Sequence, residues 1–236
     1  MTRARLAAVL AGGVLLAALL LLPLRLVVDG AGLAGRGLAA RAVTGSLWTG
    51  RLHDARMGGV ALGDLDAGLS PVQLLIGRVR IDFSRAGGGG DGFKGALGVT
   101  RDSFGIDDLT ATLPVGDRFS PLPISTVALD DFSVRFSGGR CVSGEGAVRA
   151  TLSGSVAGLA LAQGLGGVAR CDGAALLLPL VGQSGMERLD LRLTADGRYR
   201  AELNVRSADP ALERRLVSAG FAAGPDGHRL TLSGRI

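Results

Sequence analysis

The chain has 236 residues, a formal charge of +5, and an apolar fraction of 47% with only 4% aromatics. The apolar fraction supports a sizeable core. The basic residues, all arginine except Lys94, are scattered along the chain, which excludes the concentrated stripe or tail of a nucleic-acid binder. The 39 glycines favour turns, bulges and short strands over long helices.

Arg3 and Arg5 precede an unbroken apolar run from Leu6 to Leu22, extended by Pro23 and Leu24 before Arg25. At about 1.5 Å per residue, 6–24 reaches roughly 28 Å, close to the thickness of a bilayer core. A cleaved signal peptide has a shorter apolar region and a small-x-small site. Here the one candidate site, around Ala31, Gly32 and Ala34, lies well past Arg25. The length predicts an uncleaved transmembrane helix over 6–24, and the arginines before it keep residues 1–5 cytoplasmic. Everything after Val28 is then exported, with 25–43 as a juxtamembrane connector in which Leu33, Leu38 and Val43 are spaced as on a short helix.

From residue 44 the pattern changes to period two. Strands are predicted at Leu47–Leu52, Val79–Phe83, Leu109–Leu113, Phe132–Phe136, Val148–Leu152, Leu189–Leu193, Tyr199–Val205 and Arg229–Ser233. Arg78/Arg80, Arg188/Arg192 and Arg198/Arg200 then read as solvated strand faces. Ser70-Pro71 opens a short helical segment that Gly77 can cap, and Ala86–Gly92 is a glycine loop. Pro114, Pro121 and Pro123 suggest two halves meeting near 114–123. Asp196-Gly197 signals a two-residue hairpin. One helix is expected late in the chain: Asp209 as N-cap, Pro210 in the first turn, Leu212 and Leu216 on one face, and Gly220 as left-handed C-terminal cap. The fold class is mainly β: an N-terminal transmembrane helix, then an extended, curved antiparallel β-sheet domain over 44–236 with one short C-terminal α-helix.

Both cysteines, Cys141 and Cys171, fall in the exported part, where such a pair reads as a disulfide, with two buried free thiols as the alternative. Two distant cysteines with His53 and His228 do not make a zinc site. Gly30 to Gly35 fits G-x-G-x-x-G but has neither the strand context nor the parallel partners of a dinucleotide fold, and Gly87 to Gly92 matches by the same glycine abundance. Ser184 is not in a G-x-S-x-G elbow. The carboxylate pairs Asp64/Asp66, Asp107/Asp108 and Asp130/Asp131 read as turn or outward strand residues. No catalytic residue, metal, cofactor or small-molecule substrate is expected. Trp48, the lone tryptophan, reads as a core anchor with partner docking as the sharper option.

The stretch Val43-Thr44-Gly45-Ser46-Leu47-Trp48-Thr49-Gly50-Arg51 resembles a glycine–small–leucine–tryptophan–small–glycine motif of the type II secretion system protein N family. Gly63-Asp64-Leu65, Leu69-Ser70-Pro71 and Leu74-Leu75-Ile76-Gly77 are similar to its next segment. The cysteine pair falls where that family has one, and Asp209-Pro210 through Gly220, then Leu230, Leu232 and Gly234, look like its C-terminal end. Gly68 departs, falling where an aromatic is expected. The resemblance implies an accessory inner-membrane component of the machine that exports folded proteins across the outer membrane. Its partners would be other assembly subunits and membrane lipid, with Gly45, Leu47, Trp48 and Gly50 as the motif residues, and it brings no catalytic residue. The competing reading is an AsmA-like β-groove that handles lipids, which requires an open apolar trough where a scaffold requires a buried face.

Overall fold

The computed structural model describes residues 10, 12–13, 17, 21–26, 38–57, 60–85, 92–115, 124–152, 155–156, 159–160 and 164–235. The chain divides into two compact units, Met1–Gly89 and Gly90–Ile236. The proline-bearing stretch 116–123, the glycine motif at 30–35 and most of the glycine loop at 86–92 lie outside the described residues. So does most of the expected transmembrane helix, 6–24. Among the described residues no helix is long and apolar enough to cross a membrane. Within the run, Leu10, Gly12, Gly13 and Ala17 are helical, and the Leu21 N–H donates to the Ala17 carbonyl at 3.0 Å.

The first unit is an antiparallel sheet. It contains β1 (Leu38–Ala39), β2 (Ala42–Gly45), β3 (Gly50–Met57), β4 (Val60–Leu69), the short helix α1 (Pro71–Leu75) and β5 (Val79–Arg85). β3 pairs with β1 and β2 on one side and β4 on the other, and β4 pairs with β5. Leu33 lies outside the described residues; Leu38 and Val43 are strand where helical spacing was expected, sitting in β1 and β2, because β3 presents a backbone edge that 38–45 completes. The strand expected from Leu47 begins at Gly50 instead, and Leu47–Thr49 form a turn.

The second unit follows the same rule at greater length. Its strands are β6 (Lys94–Val99), β7 (Ser103–Pro114), β8 (Ile124–Ser137), β9 (Arg140–Leu152), β10 (Ser155–Val156), β11 (Leu159–Ala160), β12 (Leu165–Val168), β13 (Arg170–Asp172), β14 (Ala175–Gly182), β15 (Glu187–Leu193), β16 (Arg198–Val205), β17 (Ala222–Gly224) and β18 (Gly227–Arg235). Helix α2 (Pro210–Ser218) lies between β16 and β17. The sheet order is β6-β7-β8-β9-β12-β14-β15-β16-β18-β17, with β13 beside β14; among the described residues β10 and β11 form a separate two-stranded pair.

Register explains the alternation. Leu180, Leu189, Leu203 and Leu230 lie in one row across β14, β15, β16 and β18, and Leu178, Leu191, Ala201 and Leu232 in the next. A third row on the same face runs from Gly182 through Leu165 to Ala150 and Val127, giving one apolar face across the unit. Its middle is fully buried, with Leu165 and Leu203 each 1% exposed. The opposite face carries the arginines, paired along or across strands: Arg188 with Asp190, Arg192 with Asp172, Arg200 with Glu202. These exposed pairs contribute little stability each but explain why strand arginines recur with acidic residues.

Three aspartates bend the strands. Asp54, Asp108 and Asp131 have φ of 49°, 55° and 45°, each at a register shift. The Asp108 N–H donates to Ser133 Oγ at 2.9 Å, and the Asp131 N–H to Thr110 Oγ1 at 3.5 Å. Asp and Asn tolerate this left-handed conformation better than other side-chain residues. Opposite Asp131, Gly146 has φ +102°, and a Cβ there would lie 2.6 Å from the Asp131 carbonyl oxygen. Asp108, Asp131 and Gly146 thus place irregularities on the successive strands β7, β8 and β9, where a bulge bends the strand and strengthens its twist. Asp108 and Asp131 are exposed strand residues, as expected, but at bulges, while Asp107 is buried where an outward residue was expected.

The late helix forms as its sequence dictates. The Asp209 carboxylate accepts the Ala211 N–H at 2.8 Å, and Gly220 takes φ +91° while the Phe221 N–H returns to the Leu216 carbonyl at 3.0 Å. Leu216 and Phe221 are buried. The Asp196 hairpin is one residue longer than expected. The Thr194 N–H bonds the Arg198 carbonyl, leaving Ala195-Asp196-Gly197 as the loop with Gly197 left-handed at φ +81°. This is a turn followed by a glycine bulge. The Thr194 hydroxyl and the Arg198 guanidinium hold the Asp196 carboxyl down to about 2.

Cys141 and Cys171 are bonded, with Cα atoms 5.5 Å apart across 30 residues. The bond ties β9 to β13. Substituting both cysteines by serine is expected to lower the unfolding free energy by about 3–4 kcal/mol, read by denaturant titration against the oxidised chain. For the hairpin, the depressed Asp196 value means its stabilisation is full above the ordinary carboxylate range and fades as pH falls toward about 2. Protection of the Gly197 amide, its exchange rate taken relative to the intrinsic rate at the same pH, is expected to fall over that window, and Asp196→Asn to remove the dependence.

Candidate functional site

The site grows from the turn joining β2 to β3. Gly45 leaves β2 with φ +85°, and a Cβ there would come within 2.5 Å of the Thr49 carbonyl oxygen, so the turn closes only over glycine. The Ser46 N–H donates to the Thr49 carbonyl and the Thr49 N–H to Ser46 Oγ, each at 3.2 Å, and the two hydroxyls share a third bond. A small hydroxyl residue at both positions lets the turn satisfy itself.

This closed turn holds the end of the N-terminal apolar run. Ser46 bridges Pro23 in antiparallel fashion, and the Leu47 N–H donates to the Leu22 carbonyl at 2.7 Å. The Leu24 side chain is buried against Gly50, where any Cβ would collide with it. On its other side the Leu47 carbonyl accepts the Leu69 N–H at 2.9 Å, and the Leu47 side chain is buried. The Trp48 carbonyl lies on Gly68, where a Cβ would run into it. The departure at Gly68 is therefore a fit: an aromatic there would push the turn off β4.

Trp48 itself is half-buried, not a core anchor. With Phe83 it lines an open groove of about 660 Å³ whose polar residues include Arg51, His53, Asp66 and Asp82. Asp66 raises Arg51 above the ordinary guanidinium value through a 2.8 Å bond. Asp64 lies below the ordinary carboxylate value, first because it accepts the Asp54 N–H at 2.9 Å, with His53 at 3.6 Å adding to it. The carboxylates here hold backbone and arginine in place. Among the described residues no group of three or more His, Cys, Asp or Glu is placed to hold a metal. Ser184 bonds Glu187 and accepts the Met186 N–H in an exposed turn. His228 is buried on the apolar face opposite Val205.

A second feature is the apolar face at β6–β8. Leu97, Ile106, Leu113, Val127 and Leu129 are half-buried there, and Val99 and Phe104 exposed. Strand alternation cannot announce such an opening, since it reports which face is apolar and not how well that face is covered.

Fold and site define an all-antiparallel β-sheet protein in which a glycine-bounded turn joins an N-terminal apolar run to the first sheet. The family model for Type II secretion system (T2SS), protein N matches residues 36–231, and the chain belongs to that family. Membership carries an accessory role in type II secretion, with partners among the components of that system. No curated protein and no solved structure matches.

Substituting valine at Gly68 is expected to destabilise the first unit by about 1–3 kcal/mol through overpacking against the Trp48 carbonyl. Urea melts followed by Trp48 fluorescence read the effect, and Gly92→Val, at a position with room beside Thr110, is the control expected to change little.

Proposed function

We propose that this chain is an inner-membrane accessory subunit of the type II secretion system. In this reading 6–24 is a single-pass anchor, residues 1–5 are cytoplasmic, and 44–236 stand in the periplasm as a non-catalytic scaffold that supports export of folded proteins. The observation that carries it is the grip of the Gly45–Gly50 turn on Leu22–Leu24. A motif devoted to fixing the root of an apolar helix to a sheet transmits position, and a scaffold needs position more than chemistry. The Cys141–Cys171 bond fits an oxidising compartment. The buried middle of the apolar face fits a structural sheet. Its contacts are other inner-membrane assembly subunits and the lipid around the anchor.

The half-open face at β6–β8 favours one other reading, an AsmA-like groove that passes lipids through the periplasm. Deleting the gene separates the two. On the scaffold reading folded substrates accumulate in the periplasm, wild-type chain restores their export, and Gly68→Val restores it poorly. Normal export with altered envelope lipids would contradict the scaffold and favour the groove.

A further inference from the structure

α1 packs against β5 and leaves apolar side chains exposed. Val72 is 66% exposed and Ile76, which caps the helix, 72%, one helical turn apart on the same side; Leu74, at 37%, projects from another side. Concentrating apolar side chains in so short and open a segment marks contact with an apolar medium.

Its place in the fold says which medium. The Leu47 backbone joins two neighbours: its N–H bonds the Leu22 carbonyl and its carbonyl bonds the Leu69 N–H. Ser70 follows, its N–H on the Arg80 carbonyl at 2.8 Å, and α1 starts at Pro71. Adjacent extended backbones lie about 4.8 Å apart, so α1 begins within roughly 15 Å of the end of the apolar run. Leu21 and Leu26, at that same end, are also exposed. Arg80, which follows α1, is committed to Asp82 at 2.8 Å, so the segment offers apolar surface more than free charge.

We propose that α1 is a second membrane contact. It lies in the headgroup region of the leaflet that the N-terminal run leaves, with Val72 and Ile76 immersed among the upper acyl carbons. This rests on the anchor reading. A helix of this size is about 7.5 Å long, comparable to the depth of about 5–10 Å at which interfacial segments sit. With the anchor it makes two points of attachment, which fix the tilt of the first sheet as one point cannot. The attachment is apolar and persists in high salt.

The test uses the full chain in phosphatidylethanolamine–phosphatidylglycerol vesicles carrying lipids with a spin label high on the acyl chain. Both native cysteines are bonded, so a single introduced thiol takes the fluorophore. Ala17→Cys reports the anchor, Ile76→Cys reports α1, and Val168→Cys, exposed on β12, is the reference. Expected is quenching at residues 17 and 76 several-fold stronger than at 168, unchanged by high salt. Quenching at 17 with 76 no stronger than 168 overturns the proposal and leaves the anchor standing. No quenching at 17 removes the anchor, and the proposal with it. Quenching at 76 that salt abolishes also overturns the proposal, since the contact would then be electrostatic.

Discussion

The architecture of the first unit depends on the two backbone hydrogen bonds of Leu47. One reaches back to Leu22 and the other across to Leu69, so a single residue ties the end of the N-terminal run to the middle of a sheet. Neither bond is possible unless the chain passes very close to its neighbours, and each close approach is made over a glycine. Gly45 closes the turn, Gly50 admits the Leu24 side chain, and Gly68 admits the Trp48 carbonyl. A Cβ at any of them would have to displace backbone or a buried side chain, which cores resist because they are already close-packed.

The second unit solves a different problem, how to bury one face of a long antiparallel sheet. Its ladder is interrupted by left-handed residues on successive strands, Asp108 and Asp131 with Gly146 opposite. Each bulge costs a ladder position and some backbone strain. What it gains is a local bend and twist that a regular ladder lacks. α2 covers the far end with Leu216. Pro179 follows the same logic of local exceptions. It stands in the middle of β14, where proline is rarely tolerated, but opposite the break between β12 and β13, where no N–H is required of it.

Much of this was readable in the sequence where one physical rule acted alone. Period-two alternation located the strands around Phe83, Val134, Leu191 and Leu203, because each has one wet face. Asp209, Pro210 and Gly220 marked α2, because capping is local. β14 was not legible, since Leu176, Leu177 and Leu178 are buried on both faces and leave no alternation. Leu38 and Val43 read as helical spacing because only the tertiary edge of β3 makes them strands. In the site, Gly45, Leu47, Trp48 and Gly50 were visible as a motif, but their role was not. What they touch, Leu22 to Leu24 and Gly68, is distant in sequence. Gly68 read as a mismatch because the space it must leave empty is defined by another segment's carbonyl.

A cross-link tests most directly whether the turn grips the root of the N-terminal run. Pro23 and Ser46 are bridge partners, and bridged residues stand about 4.5–5.5 Å apart at Cα, within disulfide range. In the full chain carrying Pro23→Cys and Ser46→Cys, expressed with the native Cys141–Cys171 pair intact, the account predicts a second disulfide. It should form under air oxidation and be found as one linked peptide pair by mass spectrometry. Free thiols at 23 and 46 under those conditions, with the native bond formed, would contradict it.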